Sequence, residues 1–226
     1  MLHHSIMGRF PDRQDAGRKL GAALEYLRAE QPVVFGLPRG GIIVAFEVAR
    51  MLRAPLDVLV ARKIGAPGQP EYAIGAIAPE GVARMDDDAI AALGVSPDYI
   101  AATIARETEE LRRRESLYRE GAPPVPLEGR TAVVVDDGLA TGLTAAAALE
   151  SLRRRNPERL VFAAPVCAPS SSRRLSGLAD EIVCLKTPLL FRAVGEWYVA
   201  FDQTADDEVI ALLREARGFA RESAPR

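Results

Sequence analysis

Residues Thr131 to Val135 form an almost wholly apolar run that leads straight into two adjacent carboxylates, Asp136 and Asp137. A loop of small and hydroxylated residues follows: Gly138-Leu139-Ala140-Thr141-Gly142-Leu143-Thr144. A strand that is apolar on both faces belongs at the centre of a parallel sheet covered by helices on both sides. Ligands of such open sheets bind beyond the carboxyl ends of the strands, where this acidic pair falls. The small residues let backbone N–H groups approach an anion, and Thr141 and Thr144 add hydroxyl donors. The start of the next helix, expected from Thr144 to about Arg155, adds a favourable dipole. The segment has neither the lysine of a Walker A loop nor the three-glycine spacing of a dinucleotide fingerprint. Carboxylates beside a phosphate cradle suit a ligand that carries hydroxyls, or a divalent cation, next to its phosphate.

The rest of the chain alternates helix and strand. Asp12 caps a helix predicted to reach Ala29, with Ala16, Leu20, Ala23, Leu24 and Leu27 along its buried stripe. Val33 to Leu37 reads as a strand, Pro38-Arg39-Gly40-Gly41 as a turn, and the following residues as a helix to about Leu52. A second strand, Leu56 to Ala61, ends at Arg62-Lys63. Ile64 to Tyr72, with two glycines and two prolines, reads as a loop; Ala73 to Ala78 and Val82 to Met85 read as a hairpin. Pro97 to Glu120 is a long helix with Ile100, Ile104 and Leu111 on its apolar side. Further strands are expected at Arg159 to Val166 and Glu181 to Leu185, around a short helix from Ser170 to Ala179, with a terminal amphipathic helix at Ala205 to Arg217. The alternation specifies an α/β fold, Rossmann-like and three-layered, around a mostly parallel sheet. Residues 1–226 are read as one domain, with a helical insertion over 86–124 and a C-terminal extension over 187–226.

Composition narrows the function. With 29 basic against 31 acidic residues and a net charge of -2, wholesale wrapping of nucleic acid is not expected. Arg112-Arg113-Arg114 lies among Glu109, Glu110 and Glu115 and reads as the solvated face of a helix. Cys167 and Cys184 each sit in an apolar run and are read as buried thiols in neighbouring strands. No signal-peptide pattern and no membrane-length apolar run is present, so the expected compartment is the cytoplasm, with no membrane partner.

The Val133 to Thr144 segment resembles the phosphoribosyl-pyrophosphate signature of the type I phosphoribosyltransferases, and the likeness extends over about residues 33–185. The chain is also similar, over almost its full length, to a less defined branch of phosphoribosyltransferase-like proteins. That likeness rests on Phe10-Pro11-Asp12-Arg13 with Ala16-Gly17, on the Asp-Asp-Gly-Leu-Ala-Thr-Gly loop, and on Val194-Gly195-Glu196-Trp197-Tyr198. The resemblance implies a phosphoribosyltransferase fold and phosphoribosyl pyrophosphate, with magnesium, as ligand. It puts Asp136 and Asp137 near the ribose hydroxyls and the metal, and residues 140–144 around the 5-phosphate, with Gly138 and Leu139 in the same binding loop. It makes Pro38 to Gly41, with Gly40 and Gly41 in the binding loop, the pyrophosphate loop, a place that often holds a cis non-proline peptide. Arg39, Arg62 and Lys63 would then serve the leaving group, and the segment after Lys63 would be the base of a mobile lid, although it lacks a further lysine.

The resemblance implies a pentosyl-type glycosyltransferase that ribosylates a nitrogenous base or related acceptor and releases pyrophosphate. The alternatives are a non-catalytic regulatory protein that binds the same ligand or a nucleotide, and, ranked lower, an RNA-binding regulator. Phe191, Trp197, Tyr198 and Phe201 are concentrated in a chain with only 6% aromatic residues, so the acceptor is expected to meet the Pro188 to Asp202 tail, at Phe191, Trp197 and Tyr198. A sheet-edge cover or a subunit contact, as in a homodimer, is the competing reading of that tail. No serine, histidine or cysteine is placed as a nucleophile, and no general base stands out.

Overall fold

In a computed structural model of the chain, residues 8–219 are described. The first helix, α1 (Arg13–Ala23), begins where the Asp12 carboxylate accepts the Asp15 N–H at 2.7 Å. It stops six residues short of the predicted end, and Glu25–Glu30 follow as a 3₁₀ turn. Strand β1 (Val33–Gly36) leads into α2 (Gly40–Leu52) and β2 (Leu56–Val58). After an excursion the chain returns through β6 (Thr131–Val135), α5 (Leu143–Arg153), β7 (Arg159–Val166), α6 (Pro169–Leu175) and β8 (Glu181–Lys186). These strands form a five-stranded sheet in the order β2-β1-β6-β7-β8, with every pair parallel.

Side-chain alternation along β6 explains the three layers. Val133 and Val135 join Leu20, Val44 and Val48 in a core beneath α1 and α2, and Ala132 and Val134 join Ala146 and Leu149 of α5 in a core on the opposite face. All five residues of β6 are buried. From β1 the chain moves to one side, into β2, and β6 later pairs on the other side. The crevice between the loops after β1 and β6 is thus the topological switch point, where open α/β sheets bind ligands.

The excursion begins with a separate antiparallel sheet of β3 (Arg62–Ala66), β4 (Gln69–Ala78) and β5 (Val82–Met85). This corrects two expectations. The second parallel strand ends at Val58, so Arg62 and Lys63 open β3, and Ile64 to Tyr72 is no loop but the tip of a hairpin. The glycines and prolines misled because they mark a bulge. The register shifts on both sides of Gly65, and a Cβ there would lie 2.6 Å from the Pro70 carbonyl oxygen. Pro70 is tolerated because β5 pairs only with Gly75 to Ala78, leaving that side of β4 open.

Two helices follow, α3 (Asp87–Leu93) and α4 (Pro97–Arg119), and α7 (Asp206–Ala216) closes the described chain against α2 and α4. The cysteines also need correction. Cys167, just past β7, and Cys184, on β8, form a disulfide, because parallel pairing brings their Cα atoms to 6.0 Å. Among the described residues no helix is long and apolar enough to cross a membrane.

Asp57 of β2 docks the helical excursion onto the core. Its carboxylate accepts Arg119 Nε at 3.0 Å and the Val125 N–H at 3.0 Å, and Arg119 Nη2 donates to the Val58 carbonyl at 3.0 Å. Only 4% of Asp57 is exposed. Removing one partner of such a buried pair strands the other, so Asp57→Ala should cost about 3–5 kcal/mol of stability. Urea unfolding of the variant against the parent protein measures this, and a loss below about 1 kcal/mol would contradict the docking role.

Candidate functional site

The switch-point crevice is built from two loops held in contact. After β1, the Pro38–Arg39 peptide is cis and Arg39 precedes the first turn of α2. Gly40 and Gly41 then pass so close to the acidic pair that side chains are excluded. A Cβ on Gly40 would overlap Asp137 Oδ2, and one on Gly41 would lie 2.8 Å from Asp136 Oδ1. After β6, the Asp137 N–H donates to Asp136 Oδ1 at 2.8 Å, which folds the pair back on itself.

The loop after β6 is anchored at Leu139 and Leu143 and open at Ala140 and Thr141. Leu139 and Leu143 are buried, whereas Ala140 and Thr141 are exposed and Thr144 is half-buried. The exit of β7 holds the loop from below: the Leu139 N–H donates to Val166 O and the Ala168 N–H to Leu139 O, each at 2.8 Å. The Ser171 hydroxyl donates to the Ala140 carbonyl. Gly142 adopts φ +80° and α5 starts directly after it, so the helix N-terminus faces the open part of the loop.

Arg13 was not foreseen as a member of this site. Its Nε donates to Asp137 Oδ2 at 2.8 Å, its Nη1 donates to the Asp202 carbonyl at 2.8 Å, and its guanidinium lies 3.8 Å from the centroid of the Phe201 ring. Burial raises the Asp136 pKa well above the ordinary carboxylate range, and the charge of Asp137 raises it further. Asp137 is raised by burial too, with Arg13 opposing. The signal for Arg13 in the sequence was its place in the Phe10-Pro11-Asp12-Arg13 motif.

The tail motif meets that N-terminal motif beneath the pair. The Phe10 N–H donates to Trp197 O and the Val199 N–H to Phe10 O, both at 2.8 Å, and the Phe10 and Tyr198 ring centroids are 5.6 Å apart. Tyr198 is 2% exposed and its hydroxyl donates to the Asp137 carbonyl at 2.5 Å. Burial and the neighbouring carboxylates push its pKa upward, which keeps it a donor. Trp197 and Phe191 are half-buried. The structure therefore joins Tyr198 to the acidic pair through the backbone of Asp137.

Arg62 and Lys63, but not Arg39, border a second part of the crevice. A cavity of 400 Å³ is lined by Pro38, Arg62, Lys63 and Thr144, and by Arg106 and Arg114 of α4. Arg62 donates to Glu107 Oε2 at 2.9 and 2.5 Å, and Lys63 to Glu71 Oε2 at 2.5 Å. Tyr99 donates to the Gly65 carbonyl at 2.9 Å and so ties the hairpin to α4. Arg39 lies 3.9 Å from Asp206 at the start of α7.

Among the described residues, no group of three His, Cys, Asp or Glu side chains is positioned to hold a metal ion. Asp136 and Asp137 are two hard oxygen donors, and one oxygen of Asp137 is engaged by Arg13. That donor set fits magnesium held mainly by ligand phosphate and hydroxyl oxygens, with one or two carboxylates behind them, rather than an all-protein cage.

An α/β sheet with an acidic pair and a small-residue loop at its switch point puts the fold in the Rossmann-like class. Residues 13–208 match the phosphoribosyl transferase domain, and the chain belongs to that family. Two Mycobacterium tuberculosis proteins share 48% identity with it over 219 residues. They are "Putative phosphoribosyl transferase MT0597" of strain CDC 1551 / Oshkosh and "Putative phosphoribosyl transferase Rv0571c" of strain ATCC 25618 / H37Rv. The alignments cover 96% of this chain and 49% of each relative, so the chain spans about half their length. The crystal structure of TT1426 from Thermus thermophilus superposes with a TM-score of 0.77 at 44% identity, over 92% of this chain and 98% of that one.

The raised pKa of Asp136 carries a stability consequence. Its ionisation is disfavoured by folding, so the penalty is absent below the ordinary carboxylate value of about 4 and complete once pH exceeds the folded value. Asp136→Asn keeps an oxygen to accept the Asp137 N–H and removes the charge. Its thermal midpoint at pH 8 should exceed that of the parent protein by about 2–4 °C, roughly 1 kcal/mol for a chain of this size. The gain should fade as pH is lowered toward about 4. A midpoint that falls at pH 8, or a difference independent of pH, would show that Asp136 is not held against its ionisation.

Proposed function

We propose that this chain binds phosphoribosyl pyrophosphate with magnesium at the switch-point crevice and transfers the phosphoribosyl group to a nitrogen acceptor. The observation that carries this reading is the half-buried Asp136–Asp137 pair, packed against Gly40 and Gly41 and followed by a loop that exposes Ala140 and Thr141. Two carboxylates kept partly from water call for hydroxyl donors or a cation. A ribose diol beside a phosphate group supplies the hydroxyls. Membership of the phosphoribosyl transferase family supports the same ligand.

In this reading Asp136 and Asp137 orient the ribose and favour the positive character that develops at its anomeric carbon. Backbone N–H groups of residues 140–144 and the α5 N-terminus hold the 5-phosphate. Arg39 and the cavity cations Arg62 and Lys63 face the pyrophosphate. Asp136 and Asp137 would be the residues that hold magnesium, which when bound would supply further neutralisation of the leaving group. The acceptor nitrogen bonds to the anomeric carbon as the carbon–oxygen bond to pyrophosphate breaks. The electron pair of that bond leaves with pyrophosphate, and the proton displaced from the acceptor passes to water. Positioning and fixed charge account for the acceleration, with no covalent enzyme intermediate.

Titration calorimetry with magnesium and phosphoribosyl pyrophosphate should detect binding to the parent protein, and Asp136→Asn combined with Asp137→Asn should abolish most of it. In a screen of nitrogen bases, pyrophosphate should appear only with an accepted base. Arg39→Ala and Lys63→Ala should each slow its release by about a hundred- to a thousandfold, the scale seen when a transition-state donor is removed. A folded parent protein that fails to bind the ligand refutes the reading. Binding without turnover across the screen moves the assignment to a non-catalytic ligand-binding module.

A further inference from the structure

Helix α4 carries two arginines that the proposed transfer leaves unused. Arg106 and Arg114 are just over two turns apart, so they sit on the same side of the helix, about 12 Å from each other along its axis. Both line the 400 Å³ cavity, which is also lined by Pro38 after β1 and by Thr144 in the first turn of α5. Across this one cavity α4 meets both loops of the switch-point crevice. The two arginines are tied at Nε and free at their outer edges. Arg106 Nε donates to Glu107 Oε1 at 3.2 Å, and Arg114 Nε to Glu110 Oε1 at 2.7 Å. Each carboxylate already serves another arginine: Glu107 accepts two bonds from Arg62, and Glu110 two from Arg113. Four arginines against two carboxylates leave an excess of positive charge here. Nη1 and Nη2 of Arg106 and Arg114 donate to no group among the described residues. The Arg114 side chain is only 25% exposed, so its unused donors are partly withdrawn from water, a cost that an anion would remove. Arg39 lies near the same end of α4. Tyr118 donates to Asp206 Oδ1 at 2.6 Å, and Arg39 Nη1 is 3.9 Å from that oxygen. Burial and this bond push the Tyr118 phenol up to about 12, and the charges of Arg114 and Arg39 both oppose them. The hairpin adds no cation between Lys63 and Tyr72.

We infer that Arg106 and Arg114 form a fixed cationic wall for a diphosphate group, and that through them the chain separates a sugar bearing a diphosphate from one bearing only a 5-phosphate. The inference rests on the phosphoribosyltransferase reading for its ligand and on α4 for its residues. Two N–H groups on one guanidinium edge match two phosphate oxygens, and the bond at Nε holds that edge in place beforehand. Little side-chain freedom is then lost on binding. Tyr99 of the same helix donates to the Gly65 carbonyl, so α4 and the hairpin hold the wall together before a ligand arrives. The 5-phosphate, by contrast, meets backbone N–H groups of the loop after β6 and no side chain of α4. Loss of either arginine removes affinity for the diphosphate and leaves the 5-phosphate end untouched.

Titration calorimetry on the full chain with magnesium tests this with three probes: phosphoribosyl pyrophosphate, inorganic pyrophosphate and ribose 5-phosphate. Arg114→Gln should weaken the two diphosphates at least about tenfold, the scale of a hydrogen bond to a charged group. Arg106→Gln, at the more exposed position, should weaken them about threefold or more, and ribose 5-phosphate should change less than about twofold in both variants. Arg112 sits on the same helix but lines a different cavity, with Ile77, Val82 and Leu111. Arg112→Gln removes the same charge, so it isolates the general field of the helix and should leave every probe within about twofold. A diphosphate loss no greater than that of Arg112→Gln, or an equal loss for ribose 5-phosphate, overturns the inference. The two readings fail separately. A parent protein that binds pyrophosphate through Arg114 but neither sugar ligand keeps the wall and loses the transferase. One that binds phosphoribosyl pyrophosphate indifferently to Arg106 and Arg114 keeps the transferase and loses the wall.

Discussion

The structure is organised around a charge problem. Strand β6 is buried along its whole length and ends in two adjacent carboxylates, so the sheet delivers two like charges into a place where water is scarce. Neither can be solvated freely, and together they repel. One cation, Arg13, answers one of them through Asp137. Much of the surrounding architecture follows from holding that cation in place. Asp12 caps α1 so that Arg13 sits at its first residue, the Asp202 carbonyl fixes the guanidinium, and Phe201 covers its face. The start and the tail of the described chain pair with each other at Phe10 and Tyr198, and Tyr198 in turn donates to the backbone of Asp137. The two ends are thus parts of the acidic site, joined to it by direct contact.

Asp136 is offset only in part, by the Asp137 N–H and the charge of Arg13, and this is where stability and binding pull apart. A site made only for stability would replace Asp136 with a neutral residue, since the adjacent Gly41 leaves no room for a second compensating side chain. Retaining a disfavoured charge makes physical sense when a ligand supplies the missing donors. The loop after β6 shows the complementary arrangement. Its leucines are buried and its backbone is tied to β7 through Leu139, yet Ala140 and Thr141 stay exposed.

The parts of this site that lie close together in sequence were legible in it. Thr131 to Thr144 announces a buried strand, an acidic pair and a helix start within one local pattern, and the parallel sheet matches it. Pro38 to Gly41 was readable for the same reason. Arg13 was not, because its partner is 124 residues away and an isolated arginine at a helix start ordinarily faces solvent. The hairpin over β3 and β4 was hidden by composition, since Gly65 and Pro70 resemble loop residues until their mutual close approach is seen. The disulfide depends on the pairing of β7 with β8, and cysteine spacing alone carries no information about that neighbour relation. Asp57, which docks the helical excursion, looked like any polar residue in a short strand.

The excursion itself gains meaning from its charges. A mobile lid was the expectation for the residues after Lys63, but Tyr99 ties Gly65 to α4, and Arg62 and Lys63 are each ion-paired, to Glu107 and Glu71. These pairs differ in kind. Glu107 is largely enclosed, with 12% of its side chain exposed, whereas the Glu71 side chain is 92% exposed. An exposed pair contributes little and is screened by salt, so Lys63 can exchange Glu71 for a phosphate oxygen at small cost. Arg62, held by the enclosed Glu107, is better placed to fix the wall of the cavity than to follow a moving ligand. The same helix that holds Arg62 also presents Arg106 and Arg114 to the cavity. Closure over an anion at this site would therefore need only a change of partner at Lys63, with the hairpin and α4 staying where they are.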